Sequence, residues 1–264
     1  MGSKSEKRTR FEQTVAAVQS RYSVRSLRPA RQVPLRVDQP HVATGFAALD
    51  AITGCGGLPL GAITLLSGKS TSGKLTLAYK ALGNLQRPSR TMVVHNVAVL
   101  DQTYTLDPDY MVRCGLDLEH VLIVRPQTAQ HAVDLMRDLV SEYPIGAVLV
   151  EDLPEIRANE QDNQYFDAAL PQLNMLYQRL GCALIVLDEP HPPWQRLLPR
   201  GRSAIGNYVG LHVDLQHEQW ERPGGKLKGY RANARVVKSK WARSGGTAPV
   251  EIIFNGTVRA APTW

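Results

Sequence analysis

The sequence predicts an α/β domain in which a twisted, mostly parallel sheet is wrapped by helices. Three observations predict it. A short apolar strand, Ala62–Ser67, runs into Gly68-Lys69-Ser70-Thr71-Ser72-Gly73-Lys74, and a helical stretch follows to about Leu85. Val-rich segments at 90–100, 121–124, 147–150 and 183–187 alternate poorly between polar and apolar residues, as strands buried on both faces do. Helical stretches at 128–142 and 163–180 separate them, and strands alternating with helices argue for a parallel sheet.

Ahead of this core, residues 6–22 read as one amphipathic helix, with Phe11, Val15, Val18 and Tyr22 at spacings of four, three and four. Residues 23–40 hold Arg25, Arg28, Arg31 and Arg36 among Pro29, Pro34 and Pro40, the composition of a linker. The chain thus divides into a basic N-terminal helix and linker, 1–40, and one core domain, 41–264. At the far end, 208–220, 229–241 and 248–259 are strand-like and joined by Pro223-Gly224-Gly225 and Ser244-Gly245-Gly246. These read as an antiparallel extension. There is no internal repeat. His95 reads as a core histidine in a buried strand, His131 starts a helix, and Trp220 and Trp241 read as packing residues of the antiparallel strands.

The composition sets bounds on function. The chain has 264 residues, 43% hydrophobic and 21% charged, enough for one full α/β domain. No apolar stretch approaches the roughly 20 residues of a membrane helix, so no membrane partner is expected. The N-terminus lacks the apolar centre of a secretory signal, and Glu6 and Glu12 argue against a mitochondrial leader. Cys55, Cys114 and Cys182 are scattered and form no CxxC, which argues against a disulfide framework or a zinc site and for a reducing, cytoplasmic setting. No metal ligand set is evident. The net charge of +7 is uneven: residues 1–40 carry nine Lys/Arg against three acids, and residues 196–243 carry eleven against three. Two basic regions around an acidic centre point to a polyanion partner.

The glycine loop carries the chemistry. In the setting strand, Gly-x-x-x-x-Gly-Lys, helix, successive backbone N–H groups converge on phosphate oxygens and the helix N-terminus adds partial positive charge. Gly68, Lys69, Ser70, Thr71, Ser72, Gly73 and Lys74 would form this cradle, with Lys74 reaching the terminal phosphates. The next position should offer a hydroxyl to Mg²⁺, but it is Leu75. Thr76 follows, rotated by about 100° around the helix, and is a poor substitute.

These segments resemble the bacterial RecA recombinase family, collinearly and over most of the chain. The resemblance runs through Thr44-Gly45-Phe46-Ala47-Ala48-Leu49-Asp50, Gly56-Gly57-Leu58-Pro59-Leu60-Gly61 and the phosphate loop. It continues through Leu106-Asp107-Pro108-Asp109-Tyr110 with Gly115-Leu116-Asp117, and Val236-Val237-Lys238-Ser239-Lys240. It implies a RecA-like P-loop core that takes ATP or ADP. Asp107 and Tyr110 would lie against adenine, Lys238 and Lys240 would reach a neighbour's nucleotide, and the helix with Phe11, Val15, Val18 and Tyr22 would pack on the next protomer.

The departures fall on catalysis. Thr103 stands where the family's general base would be, and a hydroxyl with no carboxylate cannot take a proton from water at neutral pH. Glu151, followed by Asp152, stands at the Walker B acid, and Glu189 replaces the glutamine that senses the γ-phosphate. Glu151, Asp152 and Glu189 are the remaining candidates for catalytic carboxylates, and Leu75 argues against Mg²⁺. The family's separate C-terminal domain has no counterpart in this sequence. The pattern resembles the family's degenerate paralogues of the ImuA type, accessory factors of a translesion mutasome.

Two loops face DNA in that family. The first would be about 157–165, with Arg157 against Glu160 and Asp162, which is poor for phosphate. The second would be about 190–203, where Trp194 could stack on a base and Arg196, Arg200 and Arg202 could neutralise phosphate. Three functions remain open at this level. One is an accessory protein of DNA repair and SOS mutagenesis with absent or weak ATPase activity. It would bind single-stranded DNA, RecA or a translesion polymerase complex, or associate with itself. The others are an active DNA-dependent ATPase and a nucleotide-sensing regulator with no DNA role.

Overall fold

A computed structural model describes residues 4–22, 38–87, 95–189, 204–222, 228–254 and 258–260. Contacts divide the chain into two units, Met1–Asp38 and Gln39–Trp264. The first contains helix α1, Lys4–Tyr22. Phe11 and Tyr22 are exposed on it, and Val15 and Val18 are half-buried.

The second unit is built on one nine-stranded sheet. In chain order it comprises β1 (His41–Val42), α2 (Ala47–Thr53), β2 (Leu58–Pro59), β3 (Ile63–Gly68), α3 (Lys74–Gln86), β4 (Asn96–Leu100) and α4 (Pro108–Cys114). Then come a short 3-10 turn (Leu118–His120), β5 (Val121–Val124), α5 (Ala129–Glu142), β6 (Ile145–Val150), α6 (Leu153–Ile156), α7 (Glu160–Leu180) and β7 (Ala183–Asp188). The chain ends with α8 (Ile205–Tyr208), β8 (Val209–Glu221), β9 (Gly229–Ser239), β10 (Thr247–Phe254) and β11 (Val258–Ala260). The sheet order is β11-β10-β9-β8-β3-β7-β6-β4-β5, and β1 pairs with β2 in a separate ribbon.

Strands β3, β6 and β7 are buried along nearly their whole length because both faces are covered. One face packs on α2, α3 and α4, through Leu49, Leu77, Leu82 and Met111. The other packs on α5 and α7, through Val133, Met136, Phe166, Leu170 and Tyr177. Local chemistry sets the helix ends. Thr128 caps α5 by accepting from the His131 amide at 3.1 Å, and Asn159 caps α7 by accepting from the Asp162 amide at 2.9 Å. Gly83 of α3 lies so close to α4 that a Cβ there would sit 2.6 Å from the Gly115 carbonyl oxygen, which sets how near the two helices approach.

The structure bears out the α/β class, the mostly parallel sheet and the antiparallel addition, and it moves several boundaries. β8 pairs parallel with β3, so it completes the parallel sheet and only β9, β10 and β11 are antiparallel. The expected single strand at 248–259 is two paired strands, with Ile252 opposite Ala260. β5 is an edge strand whose Leu122 and Ile123 are exposed, because no neighbour follows it in the sheet order. The strand expected from 90 begins at Asn96, residues 88–94 lie outside the described residues, and His95 is half-buried just before the strand. Gly245 forms the second glycine turn at φ 98°, donating to the Val236 carbonyl at 2.7 Å. The Pro223-Gly224-Gly225 turn lies outside the described residues, as does nearly all of the 23–40 linker. Among the described residues no helix is long and apolar enough to cross a membrane.

Candidate functional site

The carboxyl ends of parallel strands β3, β4, β6 and β7 meet at one edge of the sheet, where open α/β sheets place ligands. The loop after β3 turns there. Thr71 adopts φ 67° and Gly73 φ 94°, left-handed values that turn the chain into α3. A Cβ on Gly73 would also lie 2.9 Å from the Tyr230 hydroxyl, so the position excludes any other residue twice over. The first backbone bond of α3 runs from the Leu77 amide to the Gly73 carbonyl at 2.9 Å. The amides before it have no acceptor within the helix, which makes this end an anion cradle. The Ser72 hydroxyl is buried in the loop with no hydrogen-bond partner.

Lys74 is the first residue of α3. Its ammonium donates to the Gly68 carbonyl at 2.8 Å and to Glu189 Oε1 at 2.9 Å. Glu189 directly follows β7, and its side chain is 52% exposed whereas that of Lys74 is 12% exposed. A cleft of about 730 Å³ opens beside the loop. It brings together Ser70, Thr71, Gly73, Lys74, Leu75, Thr76, Tyr110, Glu151, Asp152 and Glu189. Of the sequence-derived set, Gly68, Lys69, Ser72 and Asp107 do not line it. Asp107 instead caps α4, with one carboxylate oxygen accepting from the Asp109 amide at 2.9 Å and the Tyr110 amide at 3.2 Å.

Of the two positions after Lys74, the first offers no oxygen ligand and the second has its hydroxyl engaged elsewhere. Leu75 is half-buried against the core. Thr76 is buried, and its hydroxyl is in a short hydrogen bond with the Tyr110 hydroxyl, with the Tyr230 hydroxyl 3.4 Å away. Thr76 therefore joins α3 to Tyr110 of α4. Among the described residues no cluster of three or more His, Cys, Asp or Glu side chains is arranged to hold a metal.

The carboxylates have separate environments. Glu151 accepts a short hydrogen bond from the Tyr79 hydroxyl of α3. Burial pushes its carboxyl up to about 7, Tyr79 offsets part of that, and Asp101 and Asp152 add repulsion. Burial also raises Asp152 above the ordinary carboxylate range; the Glu155 backbone amide and Lys74 oppose this, and the charges of Glu155 and Glu189 add to it. Asp101 is fully buried at the end of β4, paired with Arg125 at 3.3 Å and accepting from the Thr105 amide at 3.1 Å. Arg125 lies 4.8 Å over the Tyr104 ring. Thr103 lines the cleft with its hydroxyl bonded to that of Thr105 at 2.7 Å.

Two aromatic residues of the cleft wall come from the antiparallel side. Trp220 and Tyr230 are cross-strand partners on β8 and β9, with ring centroids 5.6 Å apart, and His217 packs on both. Trp220 packs as expected, and it also lines the cleft while 41% exposed. Sequence reasoning missed Tyr230 altogether. The only signal was its register opposite Trp220 across a hairpin, and register could not be fixed from the sequence. Trp241 lies just past the end of β9 and packs over Gly210.

The expected first DNA-facing loop is not a loop over most of its length. α7 begins at Glu160, so 160–165 are helical, because Asn159 supplies the cap. Arg157 is half-buried, with its Nε buried and unpartnered. Trp194, Arg196, Arg200 and Arg202 lie outside the described residues. Lys238 donates to the Gly206 carbonyl at 2.7 Å, and Lys240 is exposed just beyond β9.

Comparison with known proteins agrees with this geometry. The family model for the RecA N-terminal domain matches residues 10–165. The protein RecA of Aquifex aeolicus is 26% identical over 268 residues, covering 95% of this chain and 76% of that protein. The RecA of Paenarthrobacter aurescens is 26% identical over 239 residues, 81% of this chain and 65% of that protein. The RecA of Arthrospira platensis is 27% identical over 233 residues, 81% of this chain and 61% of that protein.

Proposed function

The chain belongs to the RecA family, and on that premise we propose that it is an accessory member that binds nucleotide but hydrolyses it slowly or not at all. It serves DNA repair of the SOS, translesion kind, in the manner of the ImuA-type paralogues. ATP or ADP sits on the loop from Gly68 to Lys74, with Tyr110 on the cleft wall. The protein's partners are single-stranded DNA, RecA or a polymerase complex, and further copies of itself. Trp194, Arg196, Arg200 and Arg202 contact DNA, while the apolar stripe of α1 and the pair Lys238 and Lys240 serve assembly.

One observation carries the reading of weak hydrolysis. Thr103, where the resemblance calls for a carboxylate, is a hydroxyl already bonded to Thr105 at 2.7 Å. It can orient a water but cannot accept its proton in the transition state. The residues therefore bind and orient phosphate without completing the proton transfer that phosphoryl transfer to water needs.

Phosphate release tests this reading. The wild-type rate with ATP, Mg²⁺ and single-stranded DNA is expected to match that of Lys74→Ala. The double variant Leu75→Thr with Thr103→Glu restores the hydroxyl and the base, and its rate is expected to rise. A brisk wild-type rate that Lys74→Ala abolishes would refute the proposal.

A further inference from the structure

We propose that Glu189 makes the phosphate loop a nucleoside-diphosphate site, its carboxylate occupying on Lys74 the place that a terminal phosphate would take. This rests on the reading of the cleft as a nucleotide site. It adds the class of nucleotide and the residue that selects it.

The argument starts from the donors of Lys74. An ammonium has three, and two are spent inside the protein, on the Gly68 carbonyl at 2.8 Å and on Glu189 Oε1 at 2.9 Å. Inner phosphates would be held by the backbone amides at the start of α3, which have no acceptor within the helix, although the Ser72 amide of the loop is already bonded to the Lys69 carbonyl at 3.1 Å. A diphosphate can end on those amides and leave the Lys74–Glu189 pair in place. A third phosphate has to enter between the two side chains. It breaks their bond and then lies a few ångströms from a carboxylate that can offer it no hydrogen.

The rest of the cleft reinforces this preference. Its lining carries Asp152, Glu155 and Glu189, together with a Glu151 carboxyl that burial keeps only partly ionised at neutral pH, against Lys74 alone. Each phosphate added beyond the loop moves further into that negative field. Glu189 is half exposed, so water and salt weaken the repulsion without abolishing it. A discrimination of about tenfold is the scale expected for such a partly screened like-charge contact.

Calorimetric titration of the full chain with ADP and ATP, in EDTA and in Mg²⁺, tests the proposal. The wild type is expected to bind ADP about tenfold or more tightly than ATP. Glu189→Gln and Glu189→Ala are expected to tighten ATP about tenfold and to leave ADP within about twofold. Pyrophosphate and tripolyphosphate, which lack a base, are expected to show the same order. If the wild type binds ADP and ATP equally, or if the variants keep the wild-type ratio, the inference falls and the nucleotide reading stands. ATP binding that requires Mg²⁺ and is lost in Glu189→Gln makes Glu189 a metal ligand and also overturns it. If the wild type binds neither nucleotide nor either polyphosphate, the nucleotide reading falls as well. The wild-type ratio needs no variant, so a variant that misfolds does not remove the test.

Discussion

At the end of β6, burial, helped by Asp101 and Asp152, holds the Glu151 carboxyl at about 7 against an ordinary value of 4.5, with the Tyr79 hydroxyl pulling the other way. Its folded value is raised, so folding favours the protonated form. That favourable contribution is complete below about pH 4.5 and is lost as the pH rises through about 7. Above that pH a buried charge has to be tolerated, at about 2 kcal/mol once residual solvent access is allowed for. Glu151→Gln keeps an oxygen to accept from Tyr79 and cannot ionise. Its unfolding free energy in urea is expected to match wild type near pH 4.5 and to exceed it by about 2 kcal/mol at pH 8. A difference that does not change with pH would show that Glu151 titrates normally. This residue also marks what could be read from the sequence. Gly68, Gly73, Lys74 and Leu75 could be picked out from spacing and side-chain type, because a phosphate loop is contiguous, whereas Thr103 and Glu189 were picked out only through the resemblance to the RecA family. The Tyr79 bond to Glu151 and the wall of Trp220 and Tyr230 join residues 72 apart and, for the wall, a hairpin whose register the sequence leaves open.

Among the elements, α1 is 19 residues long, with Phe11 and Tyr22 exposed. In proteins most of a helix's stability comes from packing an apolar face rather than from propensity, so an apolar stripe is a reason to dock. The core unit spans Gln39–Trp264 without it. We therefore expect a chain lacking residues 1–40 to keep its cooperative thermal unfolding and to lose association with itself or with a RecA-type partner, measured by sedimentation. If association is unchanged, α1 is not an assembly element. At this scale the buried strands were the easiest to read, since β3, β6 and β7 hardly contact water and are mostly apolar, with Thr64, Ser67 and Asp188 as their polar residues. The switch from parallel to antiparallel was misplaced by one strand. β8 carries the mixed pattern of a strand that is buried at its start and exposed at its end, and nothing in its composition reveals that its neighbour is β3.

On the scale of the whole molecule, charge is the property that a partner meets first. The chain carries 31 Lys and Arg against 24 Asp and Glu, and the excess lies in residues 1–40 and 196–243. Among the ionisable acids and bases that line the cleft, four carboxyl groups stand against one lysine. On the function proposed above, nucleotide would be held by backbone amides and a single lysine, and a longer polyanion would bind through the basic regions outside the cleft. Binding of that kind is sequence-independent and driven by counterion release, so its logarithm falls linearly with the logarithm of salt, by about 0.7 for each phosphate neutralised on a single strand. We expect fluorescence anisotropy with single-stranded DNA to show a steep fall between low and moderate salt. Replacing Arg196, Arg200 and Arg202 together by Ala should lower both the affinity and the slope. Random and homopolymeric strands should bind alike, apart from any stacking contribution of Trp194. Affinity that stays flat with salt, or that follows one base sequence, would contradict electrostatic binding. A triple variant with an unchanged slope would place the DNA contact on residues 1–40 instead, and the chain lacking them would then lose the salt dependence.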